Sequence, residues 1–298
     1  MPNPSRRTLL AGTAASAAVG AGVAWSATMP TARMPSIYLP HGGGPWPWLS
    51  GPGFERFSSG TAPLRAWLEA LPGELPAPPR AILSITAHWE APVVTVGSSA
   101  APPMLYDYTG FPDHTYQVTW SAPGSPEVAR RVQALLSEAG IAHGEDAARG
   151  FDHGTFVPLA VAWPDAAVPT VQLSLVRGLD PAAHLAIGRA LAPLRHEGVL
   201  LVGSGMSYHN MRGFGSAQGK GHAETFDAWL QTTCAAPQTE RDAALTAWAE
   251  APAARACHPR EEHLLPLMVV AGAGGEDPVS VPFNADVLGT RVSAVRFG

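Results

Sequence analysis

Residues 81–90 read AILSITAHWE, an apolar and β-branched run that ends in a histidine. A short run of this composition predicts a strand buried on both faces, here Ala81 to Thr86. Similar runs recur along the chain and alternate with longer segments of helical period. This alternation is typical of α/β units on a largely parallel sheet. The other predicted strands are Ser36–Leu39, Val93–Val96, Thr170–Leu175, Val199–Gly203 and Val292–Arg296.

The segments between the strands predict helices and long loops. From Val128, apolar residues recur at i, i+4, i+7 and i+8 within Pro126–Ala139, so one stripe of that helix should face the sheet. The 30 prolines and 31 glycines concentrate between elements, with the longest predicted loops at Gly97–Ala122 and Gly144–Pro158. The other predicted helices are Ala62–Leu71, Pro181–Leu194, His222–Thr233, Thr239–Glu250 and Glu261–Ala273.

Length, charge and cysteine content narrow the class of protein. A chain of 298 residues, 46% of them hydrophobic, can bury one large core, and we expect one domain over residues 34–298. It carries 19 basic and 24 acidic residues, for a formal charge of −5, so no nucleic-acid partner is expected. With only Cys234 and Cys257, the chain can form at most one internal disulfide.

The first residues have the order of an export signal. SRRTLL at residues 5–10 leads into an uncharged Ala/Gly/Val run over residues 9–24, a positive region followed by a short apolar one. The paired arginines resemble a twin-arginine signal, which is an address for the twin-arginine export machinery. We therefore predict a signal and short linker at residues 1–33, a periplasmic or otherwise exported protein, and no stable membrane span in the mature form. An uncleaved anchor is the alternative, although the run is weakly apolar for a span.

Four histidines predict a metal site. His41, His88 and His209 each follow a predicted strand, and ligands in α/β sheets gather outside the carboxyl ends of the strands. His263 begins a predicted helix, from which its side chain can point to the same crevice. Neutral imidazole is the commonest metal ligand, and three such ligands leave positions open for substrate. Alone, each would more often be a capping or core residue. Together, with glycines at 42–44 that allow close approach, they favour a catalytic site.

The remaining histidines carry weaker signals. His153, in GFDHGTF, and His114, in FPDHTY, lie in loops that could reach the rim of this site, or they could have surface or supporting roles. The others stand in helical or turn contexts without a supporting pattern, and we expect them to be solvated: His143, His184, His196, His222 and His258.

Several segments resemble the class III extradiol ring-cleavage dioxygenases, in particular their 4,5-DOPA dioxygenase-like branch. The resemblance runs from about residue 36 to residue 273, and six pieces in this order make it specific. They are LPHGGGP (39–45), ILSITAHWE (82–90), YDYTGFPDHTYQVTWSAPGSPEVA (106–129), GFDHGTFVPL (150–159) with PTVQLSL (169–175), GSGMSYHN (203–210) and EEHLLPL (261–267).

The resemblance implies a fold, a reaction and a set of site residues. It implies a three-layer α/β/α sandwich, and an enzyme that inserts O2 into a catechol-type aromatic diol and opens the ring to a semialdehyde acid. Fe(II) is the expected metal, with Zn(II) possible in the isolated protein. The implied metal ligands are His41, His88 and His263, with His209 as the catalytic acid and base. Further residues that we place at the substrate are His153, His114, Tyr208 and Phe111.

Some alternatives remain open at this point. Glu261 or Glu262 could replace or support His263, because many non-haem iron sites use two histidines and a carboxylate. The His41-Gly42-Gly43-Gly44 stretch imitates an esterase oxyanion loop, but the GMSYH stretch (205–209) lacks the last glycine of a nucleophile elbow. A zinc-dependent hydrolase, or a metal-binding protein without enzymatic activity, could use the same histidines.

Overall fold

The computed structural model describes residues 32–298, so the twin-arginine motif and its apolar run lie outside the described residues. Within that part of the chain, eight strands form one mixed, mostly parallel sheet in the order β4-β3-β5-β2-β6-β1-β8-β7. The predicted α/β class is confirmed. The strands are β1 Ser36–Pro40, β2 Ala81–Ala91, β3 Val94–Gly97, β4 His143–Asp146, β5 Thr170–Val176, β6 Val199–Gly205, β7 Val279–Val287 and β8 Thr290–Phe297.

Ten α-helical segments occur among the described residues, with 3-10 turns at Trp46–Trp48, Leu71–Glu74, Asp113–Gln117 and Trp248–Glu250. Several of the helices begin at a side chain that accepts a backbone N–H, as Asp152 does from Thr155 and Ser216 from Gly219. The helices are α1 Glu55–Gly60, α2 Ala62–Ala70, α3 Pro126–Glu138, α4 His153–Ala162, α5 Pro181–Leu191, α6 Pro193–His196, α7 Ala217–Ala235, α8 Gln238–Thr246, α9 Ala254–Cys257 and α10 Leu265–Gly274. No helix within residues 32–298 is both long and apolar enough to cross a membrane.

The centre of the sheet fixes where the functional side chains lie. Strand β6 pairs in parallel with both β1 and β2, and every residue of β1 and β6 is buried. In this register Ser204 lies opposite Leu39 on one side and Thr86 on the other. The chain therefore leaves β1 and β6 at the same end of the sheet, within a few residues of His41 and His209. Strand β2 continues to Ala91, so His88 lies within it and not after its end as the sequence predicted.

The structure adds elements that the sequence patterns did not indicate. Strands β4 and β7, at the two edges of the sheet, were not predicted, and α4 lies mostly in the predicted loop Gly144–Pro158. The predicted helix Glu261–Ala273 begins only at Leu265, with Pro266 in its first turn. His263 consequently lies in the connection before α10 rather than in the helix.

Arg195 joins the two ends of the described chain. Its buried guanidinium donates hydrogen bonds to the carbonyl oxygens of Met34 (2.7 Å), Ala273 (2.8 Å) and Phe297 (2.9 Å). It also pairs with a carboxylate oxygen of Asp277 at 2.7 Å. Buried charges are stable only when paired and hydrogen-bonded, and this one is satisfied on every side by groups that hold β1, β8 and α10 together.

Candidate active site

Three imidazole nitrogens converge at the carboxyl end of the sheet. The Nε2 atom of His88 lies 3.2 Å from Nε2 of His41 and 3.2 Å from Nε2 of His263. Each side chain comes from a different element: the chain after β1, the second half of β2 and the connection before α10. The structure thus brings the three histidines together.

The opposite nitrogen of each ring faces a hydrogen-bond acceptor. Nδ1 of His41 lies 3.0 Å from Oγ of Ser204, whose own proton is donated to the carbonyl oxygen of Gly154. Nδ1 of His263 lies 3.0 Å from Oε1 of Glu262. Nδ1 of His88 lies 3.5 Å from Oδ2 of Asp107. These partners favour the tautomer with a proton on Nδ1, which leaves the lone pair on each Nε2 free to bind a metal.

Burial keeps the three rings neutral. It lowers the pKa values of His41 and His88 well below the ordinary histidine value, and the neighbouring histidines lower them further. Burial likewise lowers the pKa of His263 to about 4, although Glu262 opposes this shift. Only a neutral imidazole can donate its lone pair to a metal, so the rings are in the form that a cation requires near neutral pH.

This arrangement fits a transition-metal ion. Three lone pairs that face each other repel unless a positive charge lies between them. Nitrogen ligands about 2.1 Å from one ion lie about 3 Å apart when they are adjacent in its coordination sphere, close to the 3.2 Å seen here. His153 also brings a ring nitrogen within 4.8 Å of those of His41 and His88, and the ligand atoms of His263, His209 and Glu262 form a second such group beside the first.

His209 lies beside this centre. Its ring stacks on His263 with a centroid separation of 3.3 Å and an interplanar angle of 15°. Its Nδ1 approaches Oε1 of Glu262 to 3.4 Å, so one carboxylate faces both rings. Glu261 instead pairs with Arg255 at 2.6 Å and contacts no histidine. Of the two glutamates that could replace or support His263, only Glu262 lies at the histidine cluster.

A second carboxylate organises His153. Asp107 accepts hydrogen bonds through Oδ1 from both the backbone N–H of His153 (2.9 Å) and its Nδ1 (2.8 Å). Burial alone would raise the pKa of Asp107, but the bonds to His153 outweigh it and the pKa is lowered. The ionised Asp107 thus contacts His153 and His88 together. The sequence did not indicate Asp107, which lies in an irregular loop with no local pattern of its own.

The histidines line an open cavity of about 470 Å³ with mostly apolar walls. His153 and Phe111 lie in its wall, together with His209 and the three converging histidines. His114 is exposed and bonds the carbonyl oxygen of Trp48, and Tyr208 is buried against Phe214. Neither His114 nor Tyr208 is among the residues that line this cavity.

Two histidines expected in solvent are fully buried. Nε2 of His184 accepts the backbone N–H of Val176, and His258 faces the carbonyl oxygen of Ser207 at 3.0 Å. Burial lowers the pKa of His258 to about 3. His258 packs against Phe226 and Trp248 beneath the turn that carries His209, a tertiary contact that sequence spacing could not reveal.

Comparison with known proteins gives one consistent family. The profile described as the catalytic LigB subunit of aromatic ring-opening dioxygenase matches residues 37–293. A 4,5-DOPA dioxygenase extradiol from Beta vulgaris is 40% identical over 217 residues, covering 72% of this chain and 79% of that protein. The protein of that name from Escherichia coli K12 is 32% identical over 266 residues, covering 88% and 93%.

Two further similarities cover most of the chain. The dioxygenase tasH of Hapsidospora irregularis is 34% identical over 281 residues, which is 89% of this chain and 85% of that protein. The crystal structure of an uncharacterized protein from Escherichia coli K12 superposes with a TM-score of 0.70 at 30% identity, covering 89% of this chain and all of that one.

Proposed function

Because the chain belongs to the family of the catalytic LigB subunit of aromatic ring-opening dioxygenases, we propose that it opens a catechol-type ring with O2 at an Fe(II) ion held by His41, His88 and His263. The product is a semialdehyde acid that contains both oxygen atoms of O2. Family membership makes the chain an extradiol ring-opening dioxygenase. Iron, the three ligands and the catechol are the proposed parts.

One observation carries the assignment of the ligands. The Nε2 atoms of His41 and His263 each lie 3.2 Å from that of His88. The rings of His41 and His263 have a hydrogen-bond acceptor at Nδ1, and a carboxylate oxygen of Asp107 lies 3.5 Å from Nδ1 of His88. Metal-binding histidines characteristically donate the other ring N–H to a carboxylate or another acceptor. His153 meets this criterion through Asp107, but the resemblance of the motifs assigns it to the substrate wall rather than to the ligands.

The chemistry divides between the ion and the side chains. Fe(II), when bound, supplies adjacent open positions for the diol and O2 and a route for electrons from ring to oxygen. His209 removes a proton from one catechol hydroxyl and returns it as the ring carbon migrates. A positioned imidazole of this kind contributes roughly 10²- to 10⁴-fold in rate. With Nδ1 directed at Glu262, the Nε2 atom of His209 is the one available to the substrate.

His153 lies in the cavity wall and has one ring nitrogen available to the substrate. Its Nδ1 is fixed on Asp107, so its Nε2 is the free edge of a side chain that lines the cavity. We assign it to orienting the bound diol, together with Phe111, whose ring lines the same cavity. The apolar walls keep bulk water from the reacting ring, which limits competing reactions.

We also propose that the fold is a three-layer α/β/α sandwich. Ser36 and Leu83 both lie in register with Leu201, so Ser36 and Ser84 point to opposite faces of the sheet. Oγ of Ser36 donates to a carbonyl oxygen of α10, whereas Oγ of Ser84 contacts Thr155 of α4. These contacts support helices on both faces, the layering that the family resemblance implies.

The test of the function is anaerobic reconstitution of the protein with Fe(II), followed by a catechol and air. Ring opening should produce a yellow product that incorporates both atoms of isotopically labelled O2. The His209→Ala variant should bind metal normally and lose activity by roughly 10²-fold or more. The matched control is His196→Ala, at an exposed histidine outside the cavity. A His209→Ala protein that opens the ring at the wild-type rate removes the catalytic assignment.

Metal exchange tests the iron. Zinc has no redox chemistry, so the zinc-loaded protein should not open the ring even if the same histidines bind the ion. Equal turnover with the two metals would contradict an oxygen-dependent reaction and support a hydrolase instead.

We also propose that residues 1–33 direct export and that residues 34–298 form the catalytic domain. The support is the order of residues 5–24, with paired arginines before an uncharged apolar run. In a host with the twin-arginine machinery, the full chain should appear in the periplasmic fraction. Replacement of Arg6 and Arg7 by lysine should retain it in the cytoplasm. Equal distribution of the two proteins would contradict the proposal.

A further inference from the structure

One part of the cavity wall contains no histidine. We call it the hairpin wall: Arg56 and Phe57 from α1, Phe214 from the loop before α7, and Val287 and Leu288 from the β7–β8 hairpin. The backbone N–H of Leu288 donates to the carbonyl oxygen of Gly60, which ties the hairpin to the end of α1. The wall is apolar except for its one guanidinium.

Arg56 reaches from α1 to the loop before α7, where its guanidinium lies against Gly215. A methyl group on Gly215 would lie only 2.3 Å from Nη2 of Arg56, so the guanidinium rests on the backbone of that glycine. The backbone of Gly215 has φ +72°, a conformation that favours glycine. Arg56 forms no ion pair with any other described residue, which leaves its charge available at the cavity.

No acidic side chain is among the cavity-lining residues of the described chain. The two carboxylates nearest the histidines, Asp107 and Glu262, face ring nitrogens. The cavity therefore presents one fixed positive charge on the hairpin wall and no matching group for an ammonium ion. Charge complementarity of this kind acts on substrate selection more than on total affinity.

The cavity is also larger than a catechol needs. A cavity of roughly 150 Å³ holds benzene, whereas this one measures about 470 Å³. With the diol at the histidines, most of the remaining volume is available for a substituent on the ring. Phe57, Phe214, Val287 and Leu288 would contact the apolar part of that substituent.

We propose, on the basis of the proposed ring opening, that Arg56 binds a carboxylate on the ring substituent, so that the preferred substrates are catechols with an acidic rather than an aminated side chain. The carboxylate accepts hydrogen bonds from the guanidinium at the rim, and the apolar chain lies along the hairpin wall. Arg56 selects the substrate and takes no part in the chemical step.

Three catechols with short side chains test the selection: dihydrocaffeate, its methyl ester and dopamine. They carry a negative, a neutral and a positive terminus on the same ring. A hydrogen bond between charged groups, weakened by the exposure of Arg56, predicts a kcat/KM for dihydrocaffeate about 5- to 20-fold above that of the ester. Dopamine should be poorer than the ester. In Arg56→Gln the preference for dihydrocaffeate over the ester should vanish, while activity on the ester stays within about twofold.

Arg212→Gln is the matched control, because Arg212 belongs to the neighbouring loop but does not line the cavity. It should keep the wild-type preference. Equal preference in wild type and Arg56→Gln, or equal loss in both variants, overturns the proposal.

Binding without turnover separates this proposal from the ring opening. Hydrocinnamate has the acidic chain but no diol, so calorimetric titration of metal-free protein reports on the wall alone. Arg56→Gln should bind it about 5-fold more weakly or worse, and the absence of any difference from wild type contradicts the proposal. If the iron-loaded protein opens no catechol, the proposed function fails, and this titration still decides the role of Arg56.

Discussion

Replacement of Glu262 by glutamine should weaken metal binding without removing a ligand. Oε1 of Glu262 lies 3.0 Å from Nδ1 of His263 and 3.4 Å from Nδ1 of His209. Burial raises the pKa of this carboxyl, but the bonds to the two histidines outweigh it and hold the pKa far below its usual range. The carboxylate is thus ionised whenever the histidines can bind a metal, and its charge increases the basicity of His263.

The size of the effect follows from the bond that changes. A hydrogen bond to a charged group contributes about 1.5–3 kcal/mol and a neutral one about 1 kcal/mol, so Glu262→Gln should lose roughly 1–2 kcal/mol of metal-binding free energy. That corresponds to an affinity about 10-fold lower, and Glu262→Ala should approach 100-fold. The two variants therefore form a graded series at one position.

The assay is calorimetric titration of the metal-free protein with Zn(II) in the presence of a competing chelator. Zn(II) reports on the ligands without oxygen chemistry. The control is Glu261→Gln, because Glu261 is the adjacent glutamate and pairs with Arg255 instead of a histidine. It should bind the metal as wild type does. If Glu262→Gln and Glu261→Gln both match wild type, Glu262 does not support the metal site through His263.

Three further outcomes follow from the structure. Ser204→Ala should weaken metal binding roughly 10-fold, because Nδ1–H of His41 loses its acceptor; calorimetry checks this, and unchanged affinity would contradict the tautomer assigned to His41. Gly44→Ala should destabilise the protein by about 1–3 kcal/mol in urea unfolding, because φ is +52° and the new methyl group would lie 2.8 Å from Phe111. The control is Gly43→Ala, which has no atom within 4 Å of its new methyl group and should change stability by less than about 0.5 kcal/mol. Similar losses in the two variants would show that the backbone of Gly44 and its contact with Phe111 do not require glycine. For His258, burial lowers the folded-state pKa to about 3, so the unfolded chain takes up the proton first and stability falls as pH drops from about 6.5 towards 3. Between pH 7 and pH 5 metal-free wild type should therefore lose about 2 kcal/mol more unfolding free energy than His258→Gln, and parallel losses would show that His258 does not titrate this way.

The sequence predicted the centre of the fold better than its edges. Strands β1, β2, β5 and β6 are short runs of buried apolar residues, which the chain pattern reveals directly. Strand β4 has the sequence HGED and pairs only at an edge, so no apolar pattern marks it. Strand β7 contains a proline and a register shift between Ser280 and Phe283, which breaks the alternation that a strand would show.

The sequence did not predict helix α4, for a different reason. All but one of the ten residues of HGTFVPLAVA are buried, so the segment has no polar face, and its glycine and proline suggested a loop. A helix packed on every side carries little of the periodicity on which sequence interpretation depends. Its first residue, His153, was accordingly placed in a loop, although the structure puts it at the start of a buried helix.

Three of the site histidines could be predicted from their positions after predicted strands. His41, His88 and His209 were found because each follows a predicted strand. The parallel register brings the ends of β1 and β6 together beside the second half of β2, in which His88 lies. The groups that orient the rings could not be found this way. Asp107 reaches His153 from an irregular loop, and Ser204 lies within a strand whose other residues only pack. Only the folded chain shows which of its polar side chains face a ring nitrogen.

The contacts of Arg195 make the beginning and end of the described domain neighbours. Ser36 pairs with Phe297 across adjacent antiparallel strands, and one guanidinium binds carbonyl groups at both places. A short peptide could therefore close the polypeptide into a ring, and new termini could be opened at the exposed Gly51–Gly53 turn. Such a circularly permuted enzyme would carry its leader or a fusion partner at a different corner of the molecule while the histidine cluster stays intact.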